Sequence, residues 1–339
     1  MPDIEDSEGL QFPEDLPPVQ PPSAGFIVQL FVVPALIVLA VVGVWLLFGK
    51  IAAGDPDPSG LLVELQHPNR DRRWRAAFEL AQNLTFDQKN SDNDGERLSS
   101  RRDVATGLAD ALTAELKRGG SQPEELKLQA FLARTLGLVD VPDVVLPPLE
   151  SAMRPEYDTD VRIDAVLAVG VLANRMAERR MKLDAPLAIS SLLSVSSDEL
   201  PLVRQSSAFA LGLFTDPAVR ERLEVMTADS DAMTRLNAAI GLARQHDVHG
   251  FGVFEEVLKT ANRTSDAGSP AQFNQFLALK NCLAAVERLA DDFTPGQRAD
   301  LIVLLDPISS DFKEPRIRLS ATDVLLTLKK GTVPTAVVR

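Results

Sequence analysis

The chain has 339 residues, 45% of them hydrophobic and only 5% aromatic, so it is well supplied with Leu, Val and Ala for packing helices. Its net charge of −13 makes it a poor counterpart for phosphate backbones, which are held by clusters of Lys and Arg, and argues against a nucleic-acid-binding role. A single cysteine, Cys282, excludes a disulfide framework and agrees with a reducing compartment.

Residues 1–24 contain six acids, six prolines and no Lys or Arg. Such a segment cannot bury apolar surface, so a disordered acidic tail with polyproline character is expected. Residues 26–48 then carry no charge, and Gln29 is their only strongly polar side chain. A helix of that length spans roughly 34 Å at about 1.5 Å per residue, which matches a hydrocarbon core of about 30 Å and predicts a transmembrane helix over 25–49. Trp45 near one end suits the headgroup region, and Pro34 is tolerated in membrane helices. A cleaved signal peptide would need a basic leader and a shorter apolar core. Lys50 follows the run, and Arg70, Arg72, Arg73 and Arg75 come later, whereas the leader is wholly acidic. The asymmetry places the remainder of the chain in the cytoplasm and the tail outside.

The stretch Gly54-Asp55-Pro56-Asp57-Pro58-Ser59-Gly60 reads as a hinge, giving a linker over 50–60. From 61 to 330 the hydrophobic periodicity predicts seven helix pairs: 61–67 with 70–84, 103–118 with 124–138, 144–153 with 160–174, 185–195 with 200–213, 217–227 with 231–244, 251–261 with 271–290, and 296–306 with 314–329. Pro201 and Pro217 suit first turns, Gly119-Gly120 suits a helix end, and Ser100 with Asp103 suits a capping box. Residues 331–339 form a short C-terminal tail.

One phrase recurs through these pairs. A basic residue is followed at +3 and +6 by small residues and at +8 by Gly or Ala, as in Arg162, Ala165, Ala168 and Gly170, or Arg204, Ser207, Ala210 and Gly212. The frame also fits Arg73 and Arg235, and more loosely Lys127, Lys280 and Arg318, with anchor spacings of 54, 35, 42, 31, 45 and 38 residues. Repetition on that scale predicts a solenoid, because one helix pair cannot bury its own apolar stripe and must stack on the next. The small residues fall on one helical face and admit the neighbouring helix.

On these anchors, and on the acids before them (Asp158 and Asp160 before Arg162, Asp229 and Asp231 before Arg235), the chain resembles the HEAT repeats, including the HEAT-like subgroup named after phycobilisome lyases. The resemblance implies an all-α, right-handed α-solenoid in which the Asp and Arg positions form a structural ladder between repeats. Tetratricopeptide repeats fit less well: the spacing varies, and Tyr157 is the only tyrosine.

Sites of chemistry are sparse. Asn90, Asp92, Asp94 and Gly95 match the start of a calcium loop, but its closing acid is replaced by Arg101, so an ordinary polar insertion is expected. His246, Asp247 and His249 share one turn, while the remaining histidine, His67, is four units away, and solvated turn residues are expected. Di-iron hydroxylases built on HEAT repeats use His-Glu pairs, and the chain has no such dipeptide. Arg162, Arg204 and Arg235 are expected to partner the acids upstream of them. Arg175, Arg179, Arg180 and Lys182 form the densest basic cluster, a solvated helix end unless it meets anionic lipid. Cys282 is expected in the core. The triplets Asn83-Leu84-Thr85 and Asn262-Arg263-Thr264 match the glycosylation pattern, which occurs often by chance. No catalytic residue, cofactor or metal site is assigned. The expected function is a membrane-anchored scaffold for protein partners. The alternatives are an accessory subunit of a transporter or assembly complex, contacting its neighbours through Ala35, Ala40 and Gly43, and a lyase or hydroxylase of the HEAT-like kind.

Overall fold

A computed structural model describes residues 25, 32–44, 58–89, 97–181, 183–261 and 270–330. The chain divides into two compact units, Met1–Asp57 and Pro58–Arg339. In the first unit residues 32–44 are helical, and every side chain described there is exposed, with Leu36, Ile37, Val38 and Leu39 near 60%. Among the described residues no helix is long and apolar enough to cross a membrane. The ends of the expected span, like the tail and most of the linker, lie outside the described residues.

Among the described residues the second unit has fourteen α-helices and two short 3-10 turns, Leu98–Ser100 and Val248–Gly250. In chain order the helices are α1 Pro58–Glu64, α2 Arg70–Lys89, α3 Arg102–Arg118, α4 Pro123–Leu136, α5 Pro142–Ala152, α6 Thr159–Glu178, α7 Pro186–Val195, α8 Pro201–Leu211, α9 Pro217–Met226, α10 Ala232–Arg244, α11 Phe251–Ala261, α12 Pro270–Arg288, α13 Pro295–Asp311 and α14 Pro315–Lys330. They form the seven expected pairs, with ends that differ by a few residues. The helix α1 starts at Pro58, inside the expected linker, since a proline without an amide hydrogen fits a first turn.

Local chemistry sets these boundaries. Proline opens α4, α5, α7, α8, α9 and α13. Asp158, Asp216 and Asp231 cap α6, α9 and α10 by accepting from Asp160 N, Ala218 N and Thr234 N. Gly119, at φ 61°, ends α3 in the left-handed conformation that a residue without Cβ adopts freely. The expected capping box at Ser100 and Asp103 does not form: Ser100 closes a 3-10 turn, Arg101 is the N-cap residue, and Asp103 is held by Arg101 at 2.5 Å. A genuine box lies at Thr294 and Gln297, whose side chains each accept from the other's amide.

The even-numbered helices stack on one another from α2 to α14 in one layer, and their contacts are more extensive than those among the odd-numbered helices of the other layer. The repeated small residues explain the difference. A Cβ placed on Gly212 of the α8 end would lie 2.6 Å from the Gly241 Cα of α10, and one on Gly137 would lie 2.9 Å from the Ala168 Cα of α6. Gly170 meets Ala210 in the same way, at 3.3 Å. The backbones of the even helices therefore touch almost directly. The apolar core runs between the layers in two clusters that meet at α10, where Ala238 and Leu242 belong to the first and Leu236, Ala239 and Ala243 to the second.

Candidate functional site

The basic anchors are consumed by structure. Arg204 donates through Nη1 to the carbonyls of Asp198 and Glu199 at 3.0 Å, and Arg235 does the same to Asp229 and Ser230 at 2.8 and 3.2 Å. Arg73 and Arg318 repeat the pattern with His67 and Pro68, and with Phe312 and Lys313. Each guanidinium thus pins the turn five and six residues before it. The expected pairing with the acids just upstream is corrected here. Those acids serve the preceding repeat: Asp198 pairs with Arg162, and Asp229 takes Arg204 at 2.8 Å, while Arg235 reaches forward to Glu256 at 2.5 Å. Lys127 and Lys280 are exposed, in keeping with their looser fit to the phrase.

The titration of these acids reflects the ladder. The Arg204 guanidinium holds the Asp229 carboxyl below its usual value against the effect of burial, and Asp229 in turn raises Arg204. Burial is the largest influence on Asp198 and pushes it up. The Leu200 amide with Arg162 and Arg204 outweighs burial and holds the carboxyl low.

The remaining expectations resolve in turn. Arg175 and Arg179 both bind the sheltered carboxylate of Asp140, at 2.7 and 2.5 Å, so these two members of the basic cluster tie α6 to the turn before α5 instead of ending in solvent, while Arg180 is exposed as expected. Lys182 lies outside the described residues. In the histidine turn His246 and His249 are exposed, but Asp247 is buried: it caps the second 3-10 turn through His249 N and lies 2.6 Å from Arg220. His246 adopts φ 57° and contacts Asp292 at 2.8 Å, and His67 accepts from Asn69 N. No group of three or more His, Cys, Asp or Glu among the described residues could hold a metal ion. The calcium-like residues Asn90, Asp92, Asp94 and Gly95 lie outside the described residues, as does the triplet beginning at Asn262. The triplet at Asn83 is inside α2 with Leu84 buried. Cys282 is fully buried with Sγ 3.8 Å from the Phe254 carbonyl, and burial pushes its thiol up, which disfavours the thiolate.

The surface offers a different feature on the layer of even helices. A cavity of about 570 Å³ opens between α2, α4 and α6. Trp74 and Phe131 form one wall, with ring centroids 5.1 Å apart, and Phe78 extends it at 6.2 Å from Phe131. Trp74 stays 38% exposed and Phe78 46%, although both rings are large and apolar. Ala130 and Ile163 line the cavity beside them, and Asp158, Asp160 and Asp164 add carboxylates. Arg134 donates to Asp164 through Nε and Nη2 at 2.9 to 3.1 Å. Burial nevertheless raises the Asp164 carboxyl above its ordinary value, against the pull of Arg134 and with the help of nearby Asp160. Trp74 and Phe78 stand four residues apart on one face of α2, a spacing legible in the sequence. Their meeting with Phe131, 57 positions after Trp74, requires the fold.

No family model matches the chain, and no curated relative matches it. Among solved structures it is similar to human deoxyhypusine hydroxylase in complex with glycerol, at 18% identity over 81% of this chain and 96% of that one, with a TM-score of 0.30. It is also similar to a designed armadillo repeat protein in complex with the peptide (KR)4, at 13% identity over 80% and 99% of the two chains and a TM-score of 0.39. The Kap95:Nup1 complex matches at 13% identity over 85% of this chain and 38% of that one, with a TM-score of 0.40. Overlaps this loose carry no weight for function, and the fold is carried by the seven helix pairs themselves.

Proposed function

We propose that the chain is a membrane-tethered scaffold, a right-handed HEAT-like solenoid that holds a protein partner on its even-helix face at the cytoplasmic side. The observation that carries this reading is the aromatic wall in which the exposed Trp74 and Phe78 pack beside the half-buried Phe131, at a cavity large enough for side chains. Exposed apolar patches of this kind mark interaction sites, and Trp is among the residues that dominate interface energies. The tether rests on the uncharged run 26–48 and on its described stretch 32–44, a helix whose side chains are all exposed. The orientation rests on the charge asymmetry around that run. We read the molecule as a binding protein and not an enzyme, because the basic anchors of the repeats and the acids beside them are spent on joining repeats.

Membranes carrying the full chain test the proposal in two stages. The protein is expected to resist an alkaline carbonate wash, and after mild solubilisation to bring down a defined partner. Replacing Trp74 and Phe131 together by Ala is expected to abolish recovery of that partner while leaving the protein in the membrane. Release by the wash would remove the tether from the account, and unchanged recovery by the double variant would remove the site.

A further inference from the structure

The close contacts of the even helices have a counterpart in the other layer. Where Gly137 and Gly170 bring α4, α6 and α8 together, α5 and α7 touch less extensively, and a groove opens between them. Prolines contribute to it: Pro147 lies inside α5 and Pro186 opens α7. Two cavities share the groove and meet at Glu150.

The first, about 320 Å³, has Glu150, Ser191 and Ser194 along it. Its charged neighbours are already engaged: Arg162 pairs with Asp198, and Arg154 lies 3.8 Å from Glu156. Glu150 is different. Among the described residues it makes neither an ion pair nor a hydrogen bond, and burial pushes its carboxyl above the usual glutamate value with nothing to oppose the effect. The hydroxyls of Ser191 and Ser194 are likewise without a partner among the described residues. A half-buried carboxylate and two hydroxyls, that of Ser191 half-buried and that of Ser194 exposed, therefore line one cavity, and neither Arg154 nor Arg162 in its wall pairs with Glu150. The second cavity, about 440 Å³, is walled by Leu146, Pro147, Pro186 and Leu187, and Leu187 is 69% exposed. Both volumes fall in the range of small-ligand sites.

We propose that this groove binds a primary alkylammonium group. An ammonium is a donor of three hydrogens with no acceptor, which complements one carboxylate and two hydroxyl oxygens. The hydrogen bond to Glu150 is charge-assisted and therefore among the stronger kinds. The apolar chain attached to the ammonium lies along Leu146, Pro147 and Leu187, where it removes exposed hydrocarbon from water. The site is on the opposite helix layer from the aromatic wall and is independent of it. The ammonium belongs either to a small free amine or to the lysine side chain of a protein segment.

Calorimetric titration of the full-length protein in mild detergent separates these cases and tests the site. The probes are n-pentylammonium chloride, its neutral counterpart n-pentanol, and a blocked tripeptide with lysine between two leucines. The ammonium is expected to bind saturably and n-pentanol not to bind. Glu150→Gln, which preserves size, is expected to weaken binding at least about tenfold, equivalent to about 1.4 kcal/mol, with an unchanged circular dichroism spectrum. Ser191→Ala combined with Ser194→Ala should weaken it severalfold, and Trp74→Ala should leave it unaltered. Tighter binding of the tripeptide than of the free amine identifies a protein lysine as the ligand, and the reverse order identifies a small amine. Equal affinity of the native protein and Glu150→Gln, or the absence of saturable binding for both cationic probes, overturns the proposal.

Discussion

Arg162 performs two tasks from one side chain. Its Nε lies 3.4 Å from the Met153 carbonyl in the turn behind it, and its Nη2 reaches Asp198 in the next repeat. Arg162 and Asp198 are both sheltered, with side-chain exposures of 7% and 14%. Removing one member of such a pair leaves the other charge desolvated without compensation, so Arg162→Ala is expected to cost about 3 to 5 kcal/mol in denaturant unfolding. Arg102 and Asp143 are 2.5 Å apart, but both are mostly exposed. Arg102→Ala should therefore change stability by about 1 kcal/mol or less. Equal costs for the two would show that burial does not decide the strength of the ladder. The acids give the ladder a pH dependence. Asp198 and Asp229 have folded values below the ordinary 3.8, so the stability they contribute is complete above that value and is lost as the pH falls through their folded values. Asp164 has the opposite sign, since its folded value is raised and its contribution fades as the pH rises through that value. The melting temperature is expected to fall steeply below about pH 4, and Asp229→Asn should flatten that limb.

At the scale of helices, the close approach of the even layer depends on residues without side chains. Gly212→Ala puts a methyl 2.6 Å from the Gly241 backbone, which cannot rotate away as a flexible side chain would. The expected cost is about 1 to 3 kcal/mol, read as a lower denaturant midpoint. Gly296→Ala, where nothing lies within 4 Å, should be nearly silent and serves as the comparison. These elements were largely legible in the sequence, because Pro201, Pro217 and Gly119 mark helix ends through constraints internal to the backbone. Ser100 and Asp103 misled for a physical reason: a short-range cap competes with nearby charges, and Arg101 takes the carboxylate that the box requires. The partners of the basic anchors were legible only as a class. Spacing brings Asp158 and Asp160 close to Arg162 in sequence, but the pairing that forms runs from Arg162 to Asp198, 36 residues on. The same limit hid Asp140 beneath Arg175 and Arg179. It also hid the aromatic wall, since periodicity reports which face of a helix is apolar and not which neighbour leaves it uncovered.

For the molecule as a whole, the repeats divide labour between layers. The even helices close tightly and expose a few large side chains, while the odd helices leave a groove beside a half-buried carboxylate. Stacked repeats of this kind depend on neighbouring interfaces, so damage to one layer is expected to weaken adjacent repeats before distant ones. Such an architecture suits display of surface, and the aromatic wall sets the large, partly exposed side chains of Trp74 and Phe78 side by side on it. Photo-cross-linking in native membranes tests this most directly, with p-benzoylphenylalanine placed at Phe78 on the wall and, as a control, at the 71% exposed Val303 of α13. The account expects a discrete protein adduct from position 78 that disappears when Trp74 and Phe131 are both changed to Ala, with no such adduct from position 303. A position-78 variant that stays folded and yields no adduct, or yields the same adducts as position 303, would contradict it.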